Sequence, residues 1–194
     1  THPDIVHVGF DEKQQARFTT REMLQLETQL LTQATEKAQL MHHPVSDVHL
    51  LQAKANKNLS DEQAIALNHL VQGKDMACVV GYAGTGKSYM LGAAREAWEA
   101  EGYRVHGMTL SGIAAENLEG GSGIQSHTVA RRLWHWERER EQLTAKDIVV
   151  VDEAGMLGSR QMAKILEEVH RAGAKIVLVG DPEQLQAIEA GAIF

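Results

Sequence analysis

Apolar side chains recur at a roughly helical spacing along residues 20–41 of this sequence. The pattern predicts a long amphipathic helix, and Thr19 with Glu22 forms a T-x-x-E capping box at its start. The histidine–histidine–proline run at residues 42–44 ends the pattern, because the residue before a proline is biased away from helix. Residues 1–58 are therefore interpreted as an N-terminal helical annex with a connector.

From residue 59 onward, short apolar runs alternate with stretches of helical periodicity. A first helix is predicted from Ser60, where Gln63 completes an S-x-x-Q capping box. The apolar runs predict strands at residues 76–80, 104–109, 148–151 and 175–179. Further helices are predicted at residues 87–100, 113–118, 128–140 and 160–170.

Strands this apolar, alternating with helices, predict a parallel sheet that is covered by helices on both faces. Residues 59–194 are therefore interpreted as one α/β domain. Gly102 and Gly173 stand where C-terminal helix caps are expected, and the glycine-rich residues 120–123 predict a flexible loop.

Composition narrows the functional classes. The 194 residues are 43% hydrophobic and 23% charged, and no apolar run approaches the roughly 20 residues that a membrane span needs. The first ten residues lack the features of a signal peptide, and the single Cys78 lies in a predicted buried strand, so a cytoplasmic setting is expected. The net charge of −7 disfavours strong sequence-independent binding of nucleic acid, so any contact with nucleic acid is expected to be confined to a small part of the surface.

A G-x-x-x-x-G-K-S pattern begins at Gly81, directly after a predicted strand, and opens a predicted helix. In this context the pattern predicts a P-loop, because its backbone N–H groups and the helix N-terminus favour bound phosphate. A plain glycine-rich turn with a solvated lysine would leave the spacing unexplained. Lys87 is expected to reach the phosphates and Ser88 to bind Mg²⁺. The residues expected to bind Mg-ATP are Gly81, Gly84, Thr85, Gly86, Lys87 and Ser88.

Two adjacent acids, Asp152 and Glu153, end a later apolar strand. Parallel strands place such residues at the edge of the sheet where ligands bind. Asp152 is predicted to hold Mg²⁺, and Glu153 to orient and deprotonate the attacking water. The alternative is a pair of acids favoured by the dipole of the helix that follows.

The order of these motifs resembles the first motor domain of superfamily 1 DNA helicases, and most closely the RecD-like branch that includes the helicase regions of TraA-type conjugative relaxases. Five segments carry the resemblance. They are similar to the adenine-reading glutamine motif (residues 60–63), a motif that touches single-stranded DNA (109–115), a Thr-x-His segment whose threonine is replaced here (125–129), helicase motif III (179–185) and the segment that leads into the helicase region (18–23).

The resemblance implies a RecA-like fold in which the motif III strand lies between the two Walker strands. It also implies that Gln63 reads adenine and that Gln184 faces the γ-phosphate. The DNA-contacting residues that it implies are Thr109, Ser111, Gly112 and His127. Judged from the residues alone, Gln63 needs no role beyond its capping box, and Gln184 is a surface glutamine.

The function expected from this resemblance is that of an ATP-driven motor on single-stranded DNA, within a larger conjugation protein. The family's second RecA-like domain, which supplies an arginine finger, is absent from this sequence, so slow turnover of bound Mg-ATP is expected. The alternative is an ATP-binding platform for protein contacts that has no motor activity. No guanine-reading N-K-x-D follows the P-loop and no arginine-rich lid is visible, which disfavours a GTPase or a small-molecule kinase.

Overall fold

The computed structural model describes residues 4–11, 13–82 and 84–181. The N-terminal part begins with an antiparallel hairpin and continues into a long helix, a short bridge and two further helices. Its elements are β1 (Ile5–Phe10), β2 (Ala16–Thr20), α1 (Arg21–Gln39), β3 (His43–Pro44), α2 (Asp47–Ala55) and α3 (Asp61–Val71).

The rest of the described chain alternates strands and helices. A two-residue strand, β4 (Gln72–Gly73), pairs with β3 before this alternation begins. The elements that follow are β5 (Met76–Val80), α4 (Lys87–Ala100), β6 (Arg104–Thr109), α5 (Gly112–Ser122), β7 (Ser126–Thr128), α6 (Val129–Trp136), β8 (Asp147–Val151), a 3₁₀ turn (Ala154–Met156), α7 (Ser159–Ala172) and β9 (Lys175–Gly180).

Five of these strands form one parallel sheet in the order β5-β9-β8-β6-β7. Strand β9, which leads into the motif III segment, lies between β5 and β8, as the resemblance implied. All residues of β8 and β9 are buried, because each has a strand on both sides and helices on both faces. The predicted parallel α/β architecture is therefore confirmed.

The two faces of the sheet belong to separate hydrophobic cores. Successive side chains of a strand point to opposite faces, so Ile148 and Val150 join one core while Val149 and Val151 join the other. The first core is closed by α2, α3, α4 and α5, with Trp98 fully buried at its centre. The second is closed by α1, α6 and α7. The long N-terminal helix therefore forms part of the layer that covers the sheet.

Several sequence-based expectations for local structure are wrong. The N-cap of α1 is Thr20, whose hydroxyl accepts from the Met23 N–H at 3.1 Å, rather than Thr19. The glycine-rich residues 120–123 are not a loop, since α5 continues to Ser122 and ends on Gly123 in the left-handed conformation. Cys78 is exposed, because β5 is the edge strand of the described sheet and α1 covers only part of it.

Helix α6 is also shorter than predicted. The chain leaves the helix after Trp136, and Glu139 and Glu141 adopt left-handed backbone angles with φ of 54° and 51°. This turn brings Glu141 back onto the helix, where its carboxylate accepts from Arg132 at 2.7 Å and its carbonyl accepts from the Trp136 indole at 3.1 Å. Arg132 is consequently buried.

A buried carboxylate fastens the connector after α1 to the start of β5. Asp75 is 2% exposed and accepts from the His42 backbone N–H, the His42 ring and the His43 ring, each at 2.8 Å. Burial alone would raise the pKa of Asp75, but the hydrogen bonds from His42 and His43 lower it overall. The carboxylate is therefore ionised and holds the annex against the sheet.

Replacing this carboxylate should destabilise the fold. Asp75→Ala leaves buried donors without an acceptor, and we expect the free energy of unfolding to fall by about 2 kcal/mol in urea titrations at pH 7. Because the folded pKa is depressed, this stabilisation is present above the unfolded pKa of roughly 4 and is lost as the pH falls further. Glu116→Ala, on the exposed face of α5, is the control. Equal effects of the two substitutions would contradict this role.

Candidate nucleotide-binding site

The carboxyl ends of the parallel strands bring the predicted motifs to one edge of the sheet. The P-loop follows β5, and Asp152 follows β8, two strands away. The Gly81 N–H donates to the Gly180 carbonyl at 3.1 Å, and the Asp152 N–H donates to the Met108 carbonyl at 2.9 Å. These bonds extend the sheet pairing into both motifs and fix their positions relative to each other.

Two glycines give the P-loop its curvature. Gly84 and Gly86 have φ of 78° and 76°, the left-handed region that L side chains rarely adopt. Gly86 is also the N-cap of α4, so Lys87 and Ser88 occupy the first turn of that helix. A side chain on Gly86 would overlap the amide of Gln63. The described part of the loop thus has the shape that presents backbone N–H groups to phosphate.

Lys87 folds back onto its own loop. Its ammonium group donates to the Gly81 carbonyl and, at 3.0 Å, to the Tyr82 carbonyl. The Thr85 hydroxyl donates to the same Tyr82 carbonyl at 2.8 Å. Phosphate oxygens would replace neutral carbonyls with stronger, charge-assisted partners for the lysine.

Gln63 joins α3 to the P-loop. Its side-chain oxygen accepts from the Ser60 N–H at 3.0 Å, which completes the predicted capping box, and its amide nitrogen donates to the Thr85 carbonyl at 3.0 Å. The same residues border a cleft of about 360 Å³ beside Tyr82 and Lys87. The capping role is therefore confirmed, and adenine recognition by Gln63 stays a prediction.

The two acids after β8 differ in their surroundings. Burial raises the pKa of Asp152, and the hydrogen bond from the Glu153 N–H and the charge of Lys87 oppose the shift. Burial followed by the charge of Asp152 raises the pKa of Glu153. Glu153 adopts φ 56° and ψ 34°, a conformation that is strained for a residue with a side chain. Its N–H donates to the Asp152 carboxylate at 2.9 Å. A raised pKa suits a carboxylate that must accept a proton.

The oxygen groups at this edge suit magnesium. Mg²⁺ is commonly held by one or two carboxylates together with substrate phosphates and water, and a P-loop serine adds its hydroxyl. Ser88 and Asp152 offer one hydroxyl and one carboxylate. Across residues 4–11, 13–82 and 84–181, no group of three or more histidine, cysteine or acidic side chains forms a metal site. The donor set therefore fits an ion that is shared with a bound nucleotide.

The residues implied in DNA contact lie on β6, β7 and the start of α5. Thr109 is fully buried, and its hydroxyl donates to the Ser111 carbonyl at 2.8 Å. Ser111 and Gly112 are exposed at the edge of the sheet, where the Ser111 hydroxyl caps α5. His127 is half-buried, and burial followed by the charges of Arg131 and Arg132 lowers its pKa. Thr109 can therefore support the turn, whereas Ser111 and Gly112 are open to a ligand.

The sequence did not point to the charged network beneath His127. Arg132 donates to Glu141 at 2.7 Å and contacts the His106 ring at 2.8 Å, and His106 in turn contacts Asp147 at 2.7 Å. The spacing of Arg132 between the buried Val129 and Trp136 was the available signal. It places the arginine on the inward face of α6.

Gln184 lies outside the described residues, so its predicted position beside the γ-phosphate stays a prediction.

Comparison with known proteins identifies the family. A family model described as "AAA domain" matches residues 58–194, and the chain belongs to this family. It is 50% identical over 98% of its length to the conjugal transfer protein TraA of Rhizobium radiobacter, and 49% identical over 92% to a probable TraA of Sinorhizobium fredii. It is also 34% identical, over 71% of its length, to the ATP-dependent RecD2 DNA helicase of Deinococcus radiodurans.

These matches confirm the resemblance to RecD-like helicases and TraA proteins. The chain spans only 18% and 16% of the two TraA relatives and 20% of the RecD2 helicase. The described part of the chain contains no helix that is both long and apolar enough to span a membrane.

Removal of the P-loop lysine should abolish tight nucleotide binding. In Lys87→Ala the phosphates lose their charged partner, and we expect ATP affinity to fall by about 100-fold with unchanged thermal unfolding. Calorimetric titration with ATP measures the change. Lys164→Ala removes an exposed lysine that is paired with Glu137 and should bind ATP like the wild type. Unchanged affinity in Lys87→Ala would refute the site.

The role of Gln63 can be separated from its cap. If it reads adenine, Gln63→Ala should weaken ATP binding about tenfold and leave pyrophosphate binding nearly unchanged. Ser60→Ala removes the hydroxyl that accepts from the Gln63 N–H at 3.3 Å but keeps the Gln63 amide, so it controls for the cap. Competition titrations with both ligands distinguish the roles. An equal loss for ATP and pyrophosphate would assign Gln63 a structural role only.

Proposed function

We propose that this chain is the ATP-binding and ATP-hydrolysing motor domain of a single-stranded DNA translocase or helicase. The observation that carries the proposal is the meeting of the P-loop with the Asp152–Glu153 pair at one sheet edge. Binding of a nucleotide needs only the first of these motifs. A half-buried carboxylate followed by a second acid suits the hydrolysis of the γ-phosphate.

In the proposed reaction, the P-loop N–H groups and Lys87 would hold the phosphates, and Ser88 and Asp152 would hold Mg²⁺. The ion would neutralise charge on the phosphate oxygens. Glu153 accepts the proton of the attacking water, as a carboxylate placed beside the phosphates can. We assign Gln184 to the γ-phosphate on the strength of the family resemblance.

We propose that single-stranded DNA crosses the same edge of the sheet. Ser111 and Gly112 would contact the strand directly, with Thr109 supporting their turn and His127 beside them. The partners proposed for the whole protein are a second RecA-like domain and, from the names of its TraA relatives, conjugation machinery. In this proposal residues 1–58 are an annex, residues 59–194 are the first motor domain, and the protein is cytoplasmic.

The alternative is an ATP-binding platform for protein contacts. It accounts for the P-loop but gives no role to the strained backbone of Glu153. Turnover that responds to single-stranded DNA would separate a motor from a platform.

Glu153→Gln should retain Mg-ATP binding and lose hydrolysis, because it removes the base and keeps the Asp152 carboxylate. We expect a loss of about 100-fold or more in the single-turnover rate of phosphate release, measured with protein in excess over ATP. Single-stranded DNA should accelerate the wild type. Glu167→Gln, on the exposed side of α7, is the matched control.

Two results would contradict this assignment. Wild-type hydrolysis in Glu153→Gln would place the catalytic base elsewhere. A wild-type chain that binds Mg-ATP but releases no phosphate, with or without DNA, would support the platform.

A further inference from the structure

The last turn of α5 packs directly against the first turn of α4. A Cβ atom built on Gly121 would lie 2.8 Å from Ser88 Cβ and 3.5 Å from its hydroxyl oxygen. Real Cβ atoms essentially never come closer than 3.0 Å to another heavy atom. Only glycine fits at position 121 without a shift of its neighbours. This explains a glycine within a helix, where glycine is otherwise unfavourable.

The two helices also approach each other closely on either side of Gly121. Gly92 lies one turn after Ser88, and a Cβ on it would meet the Ser122 carbonyl at 3.2 Å. A Cβ on Gly123, the C-cap of α5, would lie 3.0 Å from the Arg95 guanidinium carbon. Ser122 itself is buried, and its hydroxyl donates to the Leu118 carbonyl at 2.6 Å. Close contacts therefore flank Gly121 on both sides, and a side chain at position 121 would be directed onto Ser88.

Ser88 is the residue in this contact with a proposed chemical role. Among the residues that the structure describes, its hydroxyl has no hydrogen-bond partner, so no hydrogen bond there fixes the place of its Cβ, which the close approach of Gly121 constrains. Mutation of a group that orients a metal ligand typically lowers metal affinity by about 10- to 100-fold. A side chain at position 121 would press on the Cβ from which the hydroxyl projects.

We infer that Gly121 is a positioning residue that sets the place of the Ser88 hydroxyl and thereby the affinity of the nucleotide site for Mg²⁺. The inference rests on the proposed role of Ser88 as a Mg²⁺ ligand. It assigns to α5, which begins at the proposed DNA contact, a second function at its other end.

The chain contains a matched control for this inference. Gly120 belongs to the same turn of α5, and a Cβ on it would meet no heavy atom within 4 Å. Gly120→Ala and Gly121→Ala gain the same helix propensity, so any difference between them reports the contact with Ser88. Fluorescent ADP binding is titrated with Mg²⁺ for the wild type and both variants, and is repeated in EDTA.

We expect Gly121→Ala to need about 10- to 100-fold more Mg²⁺ for half-maximal tightening of ADP binding. Its ADP affinity in EDTA should match the wild type, which also shows that the variant is folded. Gly120→Ala should behave as the wild type throughout. In a Ser88→Ala background, Gly121→Ala should add no further Mg²⁺ requirement, because the ligand that it positions is gone.

Several results would overturn the inference. These are equal Mg²⁺ requirements in Gly120→Ala and Gly121→Ala, a loss of ADP affinity in Gly121→Ala that is as large in EDTA as in Mg²⁺, or a full additional effect in the Ser88→Ala background. A wild type whose ADP binding does not depend on Mg²⁺ would overturn the proposed metal site itself. Failure of the inference about Gly121 can therefore be distinguished from failure of the proposed Mg²⁺ site.

Discussion

The whole site depends on the insertion of β9 between β5 and β8. Parallel strands lie roughly 4.8 Å apart, so one intervening strand separates the P-loop strand from the Asp152 strand by about 10 Å. Phosphates and a metal ion can bridge that gap. The fully buried β8 and β9 hold this spacing rigidly, because each is paired on both edges and packed on both faces.

The sequence predicted the elements that this constraint requires. The apolar run at Met76–Val80 and the helix at Lys87–Ala100 were expected at the bounds that the structure shows. The strand predicted at residues 148–151 differs from the observed strand only by the omission of Asp147. These elements obey strong local rules, since a buried parallel strand must be continuously apolar and a P-loop must connect a strand to a helix.

Contacts between distant elements could not be predicted in this way. Gly120 and Gly121 look like a flexible loop because glycine disfavours helix, yet the close approach of α4 makes glycine necessary at position 121. Cys78 looked buried because its strand is apolar, but its place at the edge of the described sheet leaves it exposed. Both errors arise where packing rather than local propensity decides the outcome.

The central claim is that Mg-ATP binds at this sheet edge and draws Lys87 away from the carbonyls of its own loop. Backbone amide chemical shifts of the ¹⁵N-labelled chain, recorded with and without Mg-ATP, test it most directly. The account predicts the largest changes at Gly81, Gly84 to Ser88 and Asp152, together with the side-chain amide of Gln63. Saturable changes confined to another surface, or none at all, would contradict it.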